Sequence, residues 1–217
     1  MTSFPRSPRL LKGALVAYDL PDTTPKVIVF QYNPETLSRS LQAQTTGNEQ
    51  GHTGPVRFKG APVETITLEI AIDATDDLET AQTEAVECGI HSRLAALEML
   101  LYPPSSTVLA NLKSMSLGVL EVIPPMAPFV LFVYGRKRIL PVQITSFQVT
   151  EEAHDVNLNP IRAQVNLGLR VLSYSDLLPE HPGHAVFLAH QIAKEALAAK
   201  GIVGSLDAVT GGSTSLL

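Results

Sequence analysis

The stretch that decides the fold is ETITLEIAID, residues 64–73. Its even-numbered positions from Ile66 to Ile72 are aliphatic, and most of the positions between them are polar. Such a period of two is typical of a β-strand that buries one face. Residues 164–172 repeat the pattern with Val165, Leu167, Leu169 and Val171. Two long strands of this kind predict a mainly β domain.

Shorter apolar runs extend the sheet on the N-terminal side. Residues 11–19 and 26–32 flank the turn-forming segment PDTTP at 21–25, which predicts a hairpin. A further strand is predicted over residues 36–44. The glycine- and proline-containing segment 45–62 predicts a long surface loop.

A second hairpin is predicted around a basic turn. Residues 129–134 and 139–150 are rich in apolar and β-branched side chains. They flank the sequence GRKR, which places Arg136, Lys137 and Arg138 at the hairpin tip.

Helical spacing is found in two segments. Residues 77–102 carry an apolar stripe at spacings of four, three and four, and Pro103 is expected to end that helix. The stripe consists of Ile90, Leu94, Leu97 and Leu101. Residues 184–200 form a second, alanine-rich helix that Gly201 is placed to cap. The body is therefore expected to hold seven or eight strands around one helix.

The composition along the chain predicts three parts. Residues 1–10 are expected to form an N-terminal arm, and residues 11–178 a β domain with a helical insertion at about 77–102. Residues 179–217 are expected to form a C-terminal helix and flexible tail. Within the β domain, residues 105–125 are expected to be loop with one short helix near residues 108–113.

Composition and charge exclude several classes of protein. A chain of 217 residues can bury a core without cross-links, and its one cysteine, Cys88, cannot form an intramolecular disulfide. The net charge of −5 gives no general attraction to nucleic acid. The apolar run at 126–134 is far shorter than a membrane span, and the N-terminus lacks the apolar stretch of a signal peptide. We therefore expect a protein made in the cytoplasm, with no nucleic-acid partner and no membrane insertion.

No set of residues predicts catalysis. His181, His184 and His190 are the only close histidines, and without a second ligand cluster they are expected to be a solvated linker and a helix surface. Cys88 has His91 three residues away but no orienting group, so a structural thiol is expected. Nucleotide-binding and nucleophile-elbow motifs are absent. We expect no catalytic residue, no metal, no cofactor and no enzymatic activity.

Opposite charges are concentrated in two places. The tip at 136–138 is basic, and the stretch from Asp73 to Glu87 is acidic with no intervening lysine or arginine. The acidic stretch contains Asp73, Asp76, Asp77, Glu79, Glu84 and Glu87. Acidic side chains there also suit the N-terminus of a helix. A molecule with one patch of each sign can associate head to tail with its own copies.

Two Asn-Pro pairs are expected to bend the chain between strands. Proline fixes φ and removes a donor, and asparagine bonds locally, so Asn33-Pro34 and Asn159-Pro160 each suit a corner. An ordinary loop is the alternative at both positions. The structural and interface candidates are these four residues with Arg162, Asp76, Asp77 and the basic tip.

Three segments together carry a family resemblance. They are FQYNPETL at 30–37, PPMAPFVLFVYG at 124–135, and ITSF at 144–147 continuing through EE at 151–152 to LNPIRA at 158–163. In this order and spacing they resemble the N-terminal tube-type domain of baseplate adaptor proteins of contractile injection systems, the phage-tail-like particles of bacteria. The resemblance covers roughly residues 11–175.

The resemblance implies a tube-protein-like β-barrel or sandwich with a flanking helix. It also implies a place in a ring, with six copies the expected number, where the inner tube meets the central spike or hub. The implied partners are further copies, the tube and spike proteins, and other baseplate or sheath proteins. The particle itself stays in the cytoplasm or is released. Many family members carry a peptidoglycan-binding LysM module after this domain, whereas only about 40 residues follow Tyr174 here, so glycan binding is not expected.

Two other roles stay open at this stage. Tube-like domains also serve at the distal end of such particles, so a tube-terminating or cap protein is one alternative. A free-standing glycan- or ligand-binding module is the other, and it would need exposed aromatic side chains. The absence of tryptophan and the presence of only five tyrosines disfavour it.

Overall fold

A computed structural model describes residues 10–19, 24–46, 57–116 and 126–201. The strands of this part are β1 (Ala14–Tyr18), β2 (Lys26–Val29), β3 (Leu37–Gln42), β4 (Thr45–Thr46), β5 (Arg57–Phe58), β6 (Val63–Asp73), β7 (Phe129–Val133), β8 (Ile139–His154) and β9 (Pro160–Val171). The helices are α1 (Thr75–Glu79), α2 (Thr83–Cys88), α3 (His91–Glu98), α4 (Ser105–Ser116) and α5 (Pro182–Gly201). The expected arm falls outside this part except for Leu10, and so does the expected tail beyond residue 201.

Seven of the strands form one antiparallel sheet in the order β2-β1-β7-β8-β9-β6-β3. The α+β class with a dominant sheet is confirmed. A closed barrel is wrong, because β2 and β3 each pair on one side only among the described residues. The loop expected over residues 45–62 is also wrong in part, since β4 and β5 pair there as a separate two-stranded ribbon.

The core lies on one face of the long central strands. Ile66 lies opposite Leu169 and Leu68 lies opposite Leu167, and all four side chains are buried. The same face continues through Val142 of β8. Each aliphatic side chain buried in this way stabilises the fold by roughly 1.5–3 kcal/mol. The alternation read from residues 64–73 and 164–172 is confirmed.

The sheet is strongly curled. Gln31, two residues beyond β2, forms two hydrogen bonds with the backbone of Asp73 at the end of β6, at 2.7 and 2.9 Å. In a flat sheet β2 and β6 would lie about 24 Å apart, at about 4.8 Å per strand. Breaks in register within β8, at Ile144/Ser146 and again after Glu151, supply local bends. The two edges of the sheet therefore curve towards each other without pairing.

The helix expected over residues 77–102 is wrong as one element, because α1, α2 and α3 replace it. Ala81 and Gly89 interrupt it with positive φ angles of 50° and 58°. At Gly89 a Cβ atom would stand 2.2 Å from the carbonyl oxygen of Pro160, so the chain turns where the sheet approaches it most closely. Ile90, Leu94 and Leu97 of the stripe are buried. Leu101 is exposed, and Leu100 is buried in its place, since α3 ends at Glu98.

The other two helices differ in packing. Helix α4 is twice the length expected for the segment at 108–113, and none of its residues is buried. Helix α5 covers the predicted segment at 184–200, with Gly201 as its last residue, and packs against the sheet through Phe187 and Gly183. At Gly183 a Cβ atom would stand 2.8 Å from the ring of Phe129, so only glycine lets the helix start so close to β7.

Candidate assembly surfaces

The first Asn-Pro pair holds a corner at the start of the sheet. The side chain of Asn33 accepts a hydrogen bond from Gly13 N–H at 2.8 Å and donates one to the Leu11 carbonyl at 2.9 Å. Pro34 is buried beside it. Asn33 thus fixes the segment that leads into β1, about twenty residues away in the chain.

The second Asn-Pro pair attaches the helical region to the sheet. Asn159 donates to Asp155 from its backbone and its side chain, at 2.8 and 2.9 Å. These hydrogen bonds lower the pKa of Asp155. The carbonyl oxygen of Pro160 accepts a hydrogen bond from Ile90 N–H at 2.9 Å. The corner therefore positions the start of α3.

Arg162 and Asp73 form the centre of a bonded junction at the end of β6. Arg162 binds the Asp73 carboxylate through Nε at 2.9 Å and Nη2 at 2.8 Å. Thr75 N–H donates to the same carboxylate at 2.8 Å. Burial acts to raise the pKa of Asp73, but these hydrogen bonds and the charge of Arg162 outweigh it, so the pKa is lowered.

Of the other carboxylates in the acidic stretch, one forms an ion pair and four are exposed without one in the described part of the chain. Asp77 forms an ion pair with Arg93, which also donates to Gln31 at 3.1 Å and to the Asp73 carbonyl at 3.2 Å. Four further carboxylates are exposed and have no ion-pair partner within the described part of the chain. They belong to Asp76, Glu79, Glu84 and Glu87.

The basic tip lies at the other end of β8 from this junction. Arg162 lies opposite Ala153 near the end of β8, whereas the tip precedes its first residue, Ile139. Arg136 and Lys137 are exposed, but Arg138 is half-buried, with its guanidinium 5.8 Å from the centre of the Tyr134 ring. No ion pair joins the tip to the acidic stretch among residues 57–116 and 126–201.

Two exposed apolar surfaces were missed by the sequence reasoning. Val27 and Val29 on edge strand β2 are 56% and 54% exposed. Helix α4 exposes Val108, Leu109, Leu112 and Met115. The spacing of Val108, Leu112 and Met115 is that of one helix face, and this was the available signal. We call these surfaces the β2 edge and the α4 stripe.

The potential metal and nucleophile residues lie in separate surroundings. His181 packs edge to face on Phe129, and its Nδ1 accepts a hydrogen bond from Gly183 N–H at 3.1 Å. His190 faces a pocket on the other side of α5. The thiol of Cys88 donates to the Glu84 carbonyl at 3.1 Å. Within the described ranges, no three His, Cys, Asp or Glu side chains are grouped so that they could hold a metal ion.

A pocket of about 320 Å³ was also missed by the sequence reasoning. Its wall on α5 consists of Phe187, His190, Gln191 and Lys194, which share one face of the helix. The other lining residues are Glu64 at the start of β6, Tyr174 after β9, and residues 58, 60, 61 and 62. The sequence signal was the i, i+3, i+4, i+7 spacing of polar and aromatic residues on a helix otherwise rich in alanine.

The chain is similar to known proteins among the solved structures. No protein-family model matches the sequence, and no curated protein matches it. Among solved structures, the chain is similar to one in the tail of an empty GTA particle with C6 symmetry, at a TM-score of 0.27 and 15% identity, over 73% of this chain and 90% of that one. A chain in the virion of a native gene transfer agent (GTA) particle gives a TM-score of 0.25 and 14% identity over the same shares. No helix of the described part is long and apolar enough to span a membrane.

Proposed function

We propose that this chain is a non-enzymatic structural subunit of a contractile injection particle, which joins the inner tube to the central spike as part of a ring. The resemblance of residues 30–37, 124–135 and 144–163 to tube-type adaptor domains supports the position at the tube end. The observation that best supports the structural role concerns the edge strands of the curled sheet, β2 and β3. Each has one side that pairs with no described strand.

The edges are suited to association with neighbours. Strand β3 runs over six residues and β2 over four, and each has one side that pairs with no described strand. An unpaired edge offers a row of N–H and C=O groups to another chain. Because the sheet curls, a neighbour that pairs at one edge is turned relative to the first copy. Repeating such a contact generates a ring when the rotation closes.

The charge distribution supports a contact between different surfaces. The free carboxylates between Asp76 and Glu87 and the exposed Arg136 and Lys137 lie at opposite ends of β8, so the two patches meet only between molecules. Opposite patches guide association and fix its orientation. Arg138 contributes less to such a contact, since it packs on Tyr134 of its own chain.

The β2 edge gives the most direct test. We expect the double variant Val27→Lys/Val29→Lys to lower the fraction of protein in rings at least about tenfold, because charged side chains on an edge strand block pairing. Mass photometry of the purified protein measures ring formation, and electron microscopy of the producing cells measures intact particles. A charge variant, Arg136→Glu/Lys137→Glu, should weaken assembly more at low salt than at high salt.

The matched control is Val156→Lys, which places the same side chain in the β8–β9 turn, where the valine is 98% exposed. Equal assembly of the edge variant and this control would refute a role for the β2 edge. A wild-type protein that stays monomeric and is absent from every particle would refute the adaptor function itself.

A further inference from the structure

The pocket beside α5, taken together with the side chains bonded to its lining residues, carries more positive than negative charge. Arg39 binds one oxygen of the Glu64 carboxylate through Nε at 2.8 Å and Nη2 at 2.6 Å. Lys194 reaches the other oxygen only at 3.4 Å. Glu64 is the one carboxylate among the lining residues, and its side chain is 4% exposed. Two cations therefore share one buried anion, and the contact to Lys194 is the weaker of the two.

His190 leaves a buried polar atom without a partner in the same place. Its Nε2 atom is inaccessible to solvent and forms no hydrogen bond with any described residue. Burial and the positive charge of Lys194 lower the pKa of His190, and Arg39 and Arg138 act in the same direction while Glu64 opposes them. The Nε2 atom cannot be reached from the pocket, so His190 lines the site without offering this nitrogen to a ligand.

Lys194 and the walls of the pocket define the chemistry of a ligand. The Lys194 ammonium has three protons and makes one long contact, so at least one proton is free for a second acceptor. The rings of Phe187 and Tyr174 pack edge to face at 5.8 Å and form an apolar wall beside the ammonium group. A volume of about 320 Å³ is at the small end of ligand pockets, which suits a short side chain rather than a cofactor.

We propose that this pocket binds a carboxylate on a short apolar stem, supplied by an acidic side chain or chain end of a neighbouring subunit and held by the ammonium group of Lys194. The source of the carboxylate rests on the proposed assembly function, but the binding of a carboxylate does not. The pocket lies where α5 meets the start of β6, away from the acidic junction at the other end of that strand. The pocket gives the subunit a specific binding site for a neighbour, in addition to its sheet edges.

The binding test uses sodium acetate as the probe and acetamide as its uncharged isostere. Two-dimensional NMR of the ¹⁵N-labelled full chain follows the ring nitrogens of His190 and the amide of Gln191 during each titration. We expect saturable shifts with acetate, none with acetamide, and about tenfold weaker acetate binding in Lys194→Gln, because a charge-assisted hydrogen bond is lost. Lys200→Gln, the same change on α5 beyond the pocket, should bind acetate as the wild type does. Equal shifts with both probes, or unchanged affinity in Lys194→Gln, would overturn the proposal.

The assembly test identifies the source of the carboxylate. If a neighbouring subunit supplies it, Lys194→Gln lowers the ring fraction several-fold relative to Lys200→Gln, and added acetate competes with ring formation in the wild type. Acetate binding together with equal assembly of the two variants would show that the ligand is a free small molecule, which overturns the subunit source. A wild-type protein that forms no rings but binds acetate would contradict the proposed function and leave the binding result standing. Circular dichroism of each variant confirms that it is folded.

Discussion

Each end of β6 carries a carboxylate that an arginine binds, but the other groups around the two carboxylates differ. At the C-terminal end, Asp73 receives Arg162 and Thr75, and its backbone is held by Gln31 and Arg93. At the N-terminal end, Glu64 receives Arg39 closely and Lys194 at a distance, beside a histidine nitrogen with no partner among the described residues.

The difference separates structural from binding roles. At the Asp73 junction, Arg162, Thr75, Gln31 and Arg93 each donate a hydrogen bond to Asp73, so this junction fixes the helical region on the sheet. At the Glu64 end, the Lys194 ammonium makes one long contact of 3.4 Å and its side chain is 41% exposed, so it can bind a second acceptor that enters the pocket. Buried polar groups left without partners in a folded protein are expected at functional sites.

The largest effect is expected where the helical region contacts the sheet at Pro160, from Gly89→Ala. The new Cβ atom would meet the Pro160 carbonyl oxygen at 2.2 Å, and the backbone at φ 58° and ψ −128° is unfavourable for any residue with a side chain. We expect a loss of about 3 kcal/mol or more in the free energy of unfolding, measured by urea denaturation.

The variant Gly135→Ala shows how much of the Gly89→Ala effect comes from the backbone conformation and how much from the steric clash. Gly135 also has a positive φ, 72°, but a Cβ atom there would contact nothing within 4 Å. Its substitution should cost only about 1 kcal/mol. Similar losses in both variants would show that the contact between Gly89 and Pro160 does not hold the helices on the sheet.

An intermediate effect is expected at the other end of β6, from Glu64→Gln. The variant leaves Arg39 and Lys194 without a counter-ion in a largely buried site. Removing one member of a fully buried ion pair costs about 3–5 kcal/mol, and we expect about 2 kcal/mol here because the Arg39 side chain is 28% exposed. Thermal and urea unfolding measure the loss.

Glu69→Gln is the matched control on the exposed face of the same strand, and it should change stability by less than about 0.5 kcal/mol. A Glu64→Gln variant as stable as this control would mean that the excess positive charge is already compensated by solvent. The contrast between the two ends of β6 would then lose its electrostatic basis.

Sequence patterns predicted the central strands because their burial follows a period of two. Residues 64–73 and 164–172 alternate in the structure as they do in the sequence, and the two hairpins pair as expected. The broken helix was not predictable in this way. The turn at Gly89 is set by the approach of Pro160, about seventy residues later in the chain. The spacing of apolar residues near Gly89 does not indicate that contact.

The candidate surfaces show the same limit. Asn159, Pro160 and Arg162 were selected as corner or interface residues, and the structure shows which residues they contact within the chain. The pocket was missed because its residues come from segments near 60, 174 and 190, which only the tertiary fold brings together. The α4 stripe was missed because residues 105–125 were expected to be loop with one short helix near residues 108–113, half the length of the helix that forms there.

The smallest effect is expected from Asp73→Asn, and its pH dependence distinguishes the two carboxylates. An asparagine keeps an acceptor for Thr75 but loses the ion pair with Arg162, which is half exposed, so we expect a loss of about 0.5–1 kcal/mol at pH 7. The pKa of Asp73 is lowered in the folded protein, so its ionised form stabilises the fold above the ordinary aspartate pKa of 3.8. This contribution is lost as the pH falls through the lower, folded value, and the difference between wild type and variant should therefore shrink towards zero in acid. Urea unfolding of both proteins between pH 7 and pH 2.5 measures it, with Arg162→Gln as a second route to the same loss. A difference that stays constant across this range would show that the Asp73 charge does not stabilise the junction, and that its hydrogen-bond geometry alone sets it apart from the Glu64 end.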